Sequence, residues 1–243
     1  MVSGQTRAAG AGKVDMVKIP GGTYTRFLVD KDGDKVSVKP FLLDVRAVTN
    51  QEFLQFVKAN PAWARSKVSR LYADGGYLKH WKNDFTFPEA LKNSPVTNVS
   101  WHAARAYSKW KGKRLPTMVE WEYAGGGRML NSRQPVEKLI LGWYSKPTPK
   151  VLPPVRSTYQ NEYKVFDMHG LIWEWVSDFN SVIMDGDSRS SSAINKDLFC
   201  ASGSYSSMDK TNYAGFMRFA FRGSLKARYT VNNLGFRCAA DIK

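Results

Sequence analysis

The sequence is poor in cysteine and has no long apolar run, and both shortages exclude classes of protein. Its 243 residues include only two cysteines, Cys200 and Cys238, which excludes a disulfide-rich scaffold and a zinc site built from four thiolates. A single disulfide and a two-thiolate site for a soft metal both stay open. No uncharged stretch approaches the roughly 18 apolar residues needed to span a bilayer. We therefore expect no membrane span.

Acidic residues are also scarce relative to basic ones. The chain has 36 Lys and Arg against 21 Asp and Glu, a formal net charge of +15, and such a charge attracts anionic partners. The basic residues occur singly or in pairs, and no helix-turn-helix, RNA-recognition or zinc-finger pattern is present. The charge thus favours a basic surface over specific recognition of nucleic acid.

The length and composition predict one compact domain over residues 15–243, preceded by a flexible tail over residues 1–14. The tail reads MVSGQTRAAGAGKV and lacks the apolar core of a signal peptide. An export signal removed from a longer precursor stays open as an alternative.

Short local signals predict the regular structure. Thr49 with Glu52, and Thr117 with Glu120, have the spacing of capping boxes. SWHAARAYSKWKGKR predicts an amphipathic helix between them that stops at Gly112. DMVKIPGGTYTRF, with its proline and two glycines between β-prone runs, predicts a hairpin. Beyond Gly125, frequent glycine, serine and proline predict mostly loops and short strands.

The last strand is predicted from alternation. Phe236, Cys238 and Ala240 alternate with Arg237 and Ala239, as in a strand with one buried face. Cys238 is therefore expected to point inward and Arg237 to the opposite side.

Six motifs together resemble one known family. They are MVKIPGGTY, VTNQEF, PVTNVSWHAARAYSKWKGKRLPTMVEWEYAGGG, DMHGLIWEWVSDF, ASGSY and NNLGFRCAAD. In this order they resemble the formylglycine-generating, sulfatase-modifying-factor superfamily over about residues 16–241. The resemblance implies a compact α+β domain of C-type-lectin-like fold, with short helices, short antiparallel strands and much irregular loop.

The chain departs from the family at two ion sites. The best-known members oxidise a substrate cysteine with O₂ and a copper(I) ion held by two thiolates, a ligand type that suits Cu(I). The matching positions here are Ser207 and residues 212–214, without cysteine, so formylglycine formation is not implied. The family's calcium loop has asparagine where this chain has Leu171, although Glu174 remains. The substitution argues against calcium, which needs six or more oxygen ligands.

The resemblance also implies that Cys238 has lost its disulfide partner, since Ser108 stands at the partner's position. Cys200 is then the remaining candidate. Two readings follow: buried structural thiols or a disulfide, or a relocated copper site with Cys200 and Cys238 as metal ligands. Among the three histidines, His80, His102 and His169, the last is the best imidazole candidate because it precedes the turn into the WEW motif.

The resemblance places a substrate groove around Tyr205 and Ser207, with Arg218 and Arg222 along it. Such a groove would accept a protein, an acidic peptide or a small anionic molecule. The leading hypothesis is an exported factor, periplasmic or secreted, with a metal- or oxygen-linked oxidative or maturation role carried by the two cysteines and His169. The alternative is a non-catalytic binding protein on the same scaffold.

Overall fold

The computed structural model describes residues 16–25, 35–130, 135–179 and 221–243. Within these ranges the strands are β1 (Met16–Ile19), β2 (Gly22–Thr25), β3 (Lys35–Val38), β4 (Phe41–Asp44), β5 (Trp173–Glu174), β6 (Leu234–Gly235) and β7 (Ala239–Asp241). The helices are α1 (Asn50–Ala59), α2 (Trp101–Trp110), α3 (Met118–Gly125) and α4 (Val136–Tyr144), with 3₁₀ turns at Pro61–Trp63 and Glu89–Leu91. The architecture is α+β with short elements, as predicted.

The first strands pair differently from the predicted hairpin. β1 pairs with β4, and β4 with β7, in an antiparallel sheet of order β1-β4-β7, whereas β2 pairs with β3. The turn between β1 and β2 contains two glycines with positive φ, 74° at Gly21 and 146° at Gly22. A side chain at Gly21 would come within 2.5 Å of the Val38 carbonyl oxygen. The prediction was wrong because this turn carries the chain from one sheet to the other.

The predicted helix starts are confirmed. Thr49 and Glu52 form a reciprocal capping box at α1, and Thr117 and Glu120 form another at α3. Gly112 has a φ of 68° just beyond α2, a backbone conformation that favours glycine. Local sequence therefore determines these three helices.

The fourth helix, α4, lies in the half of the chain predicted to be loops and short strands. It begins after Pro135 without a side-chain cap, so the usual start signal is missing. Its apolar side chains recur at helical spacing, and Ile140 is completely buried. Tertiary packing therefore stabilises a helix that carries no capping signal.

Aromatic rings join the helices to the C-terminal segment. Phe53 of α1 lies 5.3 Å from Phe56 and 5.8 Å from Tyr107 of α2, measured between ring centroids. Tyr107 in turn lies 5.3 Å from Phe236 at an interplanar angle of 74°. Edge-to-face pairs of this kind add to the free energy of burial. No helix in the described ranges is long and apolar enough to cross a membrane.

The segment before β7 is buried on both faces, and the expectation of one buried face was wrong. Phe236, Arg237 and Cys238 are all completely buried. Cys238 does point inward, as predicted. Arg237 is also enclosed because the buried carboxylate of Glu174 pairs with its guanidinium.

Candidate functional site

Aromatic side chains from three segments surround a pocket. Trp143 and Tyr144 end α4, Trp173 begins β5, and Phe221 follows segment 180–220. The Tyr144 and Trp173 rings are stacked 5.0 Å apart, and the rings of Trp173 and Phe221 are 4.3 Å apart. Each of these four side chains is partly exposed. The pocket therefore offers apolar ring surface to a ligand.

His169 lines the inner end of this pocket. Its Nε2 atom lies 3.1 Å from the Gly125 carbonyl oxygen, and its ring packs edge-on against Trp121 with centroids 5.3 Å apart. The side chain is almost completely buried. These contacts hold the imidazole in the wall of the pocket.

Glu174 lies beside His169 and is paired with Arg237. Both carboxylate oxygens of Glu174 accept hydrogen bonds from Arg237, at 2.8 Å each, and Trp121 donates a third bond of 2.6 Å. Burial alone would lower the pKa of Arg237, but the Glu174 carboxylate raises it above its ordinary value. The ion pair therefore links β5 to the C-terminal segment.

Arg222, a predicted substrate residue, lies at the pocket and forms an ion pair. Its Nη1 atom is 3.4 Å from Glu122, which also accepts a 3.1 Å hydrogen bond from the Tyr24 hydroxyl. The guanidinium lies 5.9 Å from the centre of the Trp121 ring. Arg222 thus contributes a polar edge to the pocket, and Glu122 offsets its charge.

Cys238 lies apart from these contacts, against α2. Its sulfur is 3.3 Å from the Ser108 hydroxyl, and its main-chain N–H donates to Asp44. Burial, reinforced by the Asp44 carboxylate, raises the pKa of the Cys238 thiol well above its ordinary value. The position that the resemblance assigned to a lost disulfide partner, Ser108, is indeed in contact with Cys238.

Of the two predicted copper ligands, only Cys238 lies within the described residues. A cysteine binds copper(I) as its thiolate, whereas the buried Cys238 thiol has a raised pKa. The described ranges contain no group of three or more His, Cys, Asp or Glu arranged to hold a metal. Cys200 lies outside the described residues, so its pairing with Cys238 stays a prediction.

The calcium loop does not fit calcium either. Both oxygens of Glu174 are engaged by Arg237, and Leu171 brings a buried apolar side chain where the family has an oxygen ligand. A calcium ion, which requires six or more oxygen ligands, would have to compete with Arg237 for the Glu174 carboxylate.

The other predicted residues separate into two groups. His80 hydrogen-bonds Asn50 at 3.2 Å, and His102 packs between Tyr72 and Trp101. Neither histidine lines the aromatic pocket. The remaining predicted residues lie outside the described residues: Tyr205, Ser207 and Arg218.

The aromatic wall was not predicted from the sequence. Trp143 and Tyr144 belong to an uncapped helix, and their pairing with Trp173 depends on a contact across about thirty residues of chain. The available signal was the apolar spacing of VEKLILGWY, which matches a helix. Phe179 and Phe221, which flank segment 180–220, both line the pocket.

Comparison with known proteins identifies the family. Residues 5–242 match the sulfatase-modifying factor enzyme 1-like domain. The formylglycine-generating enzyme of Streptomyces coelicolor is 30% identical over 287 residues, covering 93% of this chain and 88% of that protein. The inactive C-alpha-formylglycine-generating enzyme 2 of Bos taurus is 28% identical over 231 residues, covering 73% and 75%.

Two further proteins are similar to this chain, one over part of its length and the other in its fold. A serine/threonine-protein kinase, pkn1 of Chlamydia pneumoniae, is 30% identical over 191 residues, which cover 68% of this chain but only 28% of the kinase. The structure of PvdO from Pseudomonas aeruginosa superposes with a TM-score of 0.54 and 20% identity, covering 93% of this chain and 94% of PvdO. This likeness supports the same compact α+β fold. The chain therefore belongs to the family of sulfatase-modifying factor enzyme 1-like domains.

Proposed function

We propose that this chain is a non-catalytic binding protein that holds a peptide segment of a partner protein in the aromatic pocket. The observation that carries the proposal is the pocket itself. Four partly exposed rings form its wall, while His169 and Glu174 contact protein groups at hydrogen-bond distance. Such a pocket has apolar surface to offer but no acid, base or nucleophile among these groups positioned for chemistry.

The enclosed part of the pocket is too small for a side chain, so in this proposal a flat or ring-shaped apolar side chain of the peptide packs on the exposed edges of the rings. Aromatic faces and edges bind other rings and proline through dispersion and their quadrupoles. The ion pair between Arg222 and Glu122 adds polar groups at the edge of the pocket. A small anion is favoured less, because Glu122 already offsets the charge of Arg222.

The oxidative hypothesis requires more than the described residues supply. It assigns a redox role to Cys200, Cys238 and His169, yet the Cys238 thiol is buried against Ser108 with a raised pKa. Ionising it would bury a negative charge close to the Asp44 carboxylate. The similarity to a relative named as inactive is compatible with loss of the oxidation chemistry. An exported location remains a prediction from the family resemblance.

Peptide binding tests the proposal. Short peptides with a central tryptophan, phenylalanine or proline would be compared with alanine peptides by ligand-observed NMR, using wild type, Trp143→Ala and the control Trp63→Ala. Trp63 is a partly exposed tryptophan that does not line the pocket. Removing a ring that contacts ligand is expected to cost about 2 kcal/mol, roughly a 30-fold weaker affinity. Equal losses in both variants, or no preference for ring-bearing peptides, would overturn the proposal.

The oxidative alternative is tested in parallel. Protein incubated anaerobically with Cu(I) and then exposed to O₂ with a cysteine-containing peptide is expected to leave the peptide mass unchanged. Conversion of the peptide cysteine to formylglycine would contradict the non-catalytic assignment. If conversion occurred, its loss in Cys200→Ser and its persistence in Cys238→Ser would locate the reactive thiol.

A further inference from the structure

A second surface, separate from the aromatic pocket, exposes apolar side chains on a fixed turn. Leu71 is 79% exposed and Tyr72 is 49% exposed. The Tyr72 ring lies 5.3 Å from His102 at the start of α2, and His102 lies 5.4 Å from Trp101. We call the surface formed by Leu71, Tyr72, Trp101, His102 and Arg105 the Tyr72 surface. None of its members lines the aromatic pocket.

The turn that carries Leu71 and Tyr72 is held by several hydrogen bonds. The N–H groups of Tyr72 and Ala73 donate to the Ser69 carbonyl at 2.9 and 3.1 Å, and the Leu71 N–H donates to the Ser69 hydroxyl at 3.3 Å. Asp74 N–H donates to the carbonyl of Arg228 at 2.9 Å. A turn ordered in this way presents Leu71 to solvent before any partner arrives, which lowers the entropic cost of binding.

The two segments that build this surface are basic and lack carboxylates. Residues 61–73 read PAWARSKVSRLYA, and α2 reads WHAARAYSKW, so together they contain five Lys or Arg and no Asp or Glu. Arg105 and Lys109 are exposed along α2. The Arg105 guanidinium lies 5.3 Å from the centre of the Trp101 ring.

Two carboxylates in the adjoining loops, Asp74 and Asp84, are engaged by local hydrogen bonds. Asp74 accepts hydrogen bonds from Gly76 and Thr230, and Asp84 accepts them from the main chain and hydroxyl of Ser66. The Tyr72 surface therefore combines an apolar centre with a positive rim.

We propose that the Tyr72 surface docks an acidic segment of a partner protein, with an apolar side chain against Leu71 and Tyr72 and carboxylates on Arg70, Arg105 and Lys109. We choose an acidic partner because its carboxylates complement the basic residues around this surface. An exposed contiguous apolar patch rimmed by charged residues is typical of interaction sites.

A single-stranded nucleic acid suits this surface less well. Bases bind to open, parallel ring faces, whereas the rings here meet edge-on, at 62° between Tyr72 and His102 and 79° between Trp101 and His102. The most exposed member, Leu71, has no ring on which a base could stack. A lipid surface is disfavoured because one turn with a single aliphatic side chain has little area to insert.

The test uses four labelled probes and fluorescence anisotropy near physiological salt. The first probe is a synthetic peptide with one central leucine between two blocks of four glutamates, and the second replaces that leucine with serine. A single-stranded oligonucleotide of matched charge and vesicles containing phosphatidylserine are the third and fourth. The leucine peptide is expected to bind most tightly of the four.

Variants locate the binding. Leu71→Ser should weaken the leucine peptide about tenfold and leave the serine peptide unchanged, while Val151→Ser, at a residue 56% exposed elsewhere, should change neither. The double variant Arg105→Glu/Lys109→Glu should weaken both peptides by more than about tenfold. The control Lys150→Glu/Lys164→Glu makes the same change in net charge at exposed positions of other segments.

Several results would overturn the proposal. Equal weakening by the two double variants would show general charge attraction only. Tighter binding of the oligonucleotide or the vesicles, lost in Leu71→Ser, would assign the surface to that class of partner instead. If neither peptide bound with a Kd below about 1 mM, the proposal that the Tyr72 surface docks an acidic segment would be wrong. Trp143→Ala should leave peptide binding here unchanged, which separates this surface from the aromatic pocket.

Discussion

Replacing Ser108 with cysteine is expected to create a disulfide with Cys238. The Ser108 hydroxyl oxygen lies 3.3 Å from the Cys238 sulfur, and both side chains are completely buried. A cysteine sulfur at the position of that oxygen needs only a small side-chain adjustment to reach bonding distance. The experiment would use Ser108→Cys in a Cys200→Ser background, so that only one pairing can form.

The stabilisation follows from the length of the closed loop. The two residues are 130 positions apart, for which the chain-entropy relation gives about 5 kcal/mol at 25 °C. The substitution also removes the 2.9 Å hydrogen bond from the Ser108 hydroxyl to the Ala104 carbonyl, a loss of about 1 kcal/mol. Geometric strain reduces the gain further, so we expect the oxidised variant to gain about 2–4 kcal/mol in the free energy of unfolding.

Urea unfolding with and without reductant measures this difference. The oxidised variant should have a higher midpoint than the Cys200→Ser parent, and reduction should place it about 1 kcal/mol below that parent. Adding Cys238→Ser must abolish the effect of oxidation. The absence of a disulfide by intact mass under oxidising conditions, or equal unfolding midpoints with and without reductant, would refute the placement of Ser108 against Cys238.

Three further changes test other contacts. Glu174→Gln leaves the guanidinium of Arg237 buried without its counter-charge and should lower the free energy of unfolding by about 3–5 kcal/mol, measured by urea denaturation. Burial lowers the pKa of His80 to about 4, below its unfolded value near 6.5. The contribution of neutral His80 to the free energy of unfolding is therefore complete above pH 6.5 and is lost as the pH falls towards 4. This part of the pH dependence of Tm should disappear in His80→Gln. Thr117→Ala removes the cap of α3 and should cost about 1 kcal/mol by the same denaturation assay.

Each of these has a matched control. Glu89→Gln breaks an exposed ion pair with Lys92 and should cost less than about 1 kcal/mol; a similar loss in Glu174→Gln would contradict the burial argument. His102→Gln should retain most of the pH dependence that His80→Gln removes, and the reverse order would show that the wrong histidine was chosen. Thr25→Ala, at an exposed strand position, should leave stability nearly unchanged, and a loss equal to that of Thr117→Ala would discount the cap.

The parts of the fold that sequence predicted correctly are those controlled by neighbouring residues. The capping boxes at Thr49 and Thr117 involve side chains three positions apart, so their signal is local. The β1–β2 hairpin failed because strand pairing is decided by distant partners: β1 pairs with β4, and β2 with β3. A Pro-Gly-Gly turn indicates a change of direction without specifying which strand follows it.

The candidate site also depends on contacts between residues far apart in the chain, which local sequence does not predict. The burial of Arg237 depends on Glu174, 63 positions away, and alternation along a strand contains no information about that partner. The contact between Ser108 and Cys238 was implied by resemblance to the family, because two positions that are joined by a disulfide in family members lie close together in space. Trp173 belongs to the WEW motif, but Trp143 lies in an uncapped helix outside the six motifs, and only the packing of α4 brings the two rings together.

The central claim is that the aromatic pocket binds a ring-bearing peptide segment. Its most direct test is the affinity of wild type and Trp143→Ala for the same tryptophan-centred peptide, measured by titration calorimetry with Trp63→Ala as control. The account predicts a loss of about 30-fold in Trp143→Ala and little change in Trp63→Ala. Unchanged affinity in Trp143→Ala, with both variants folded by their thermal unfolding, would contradict it.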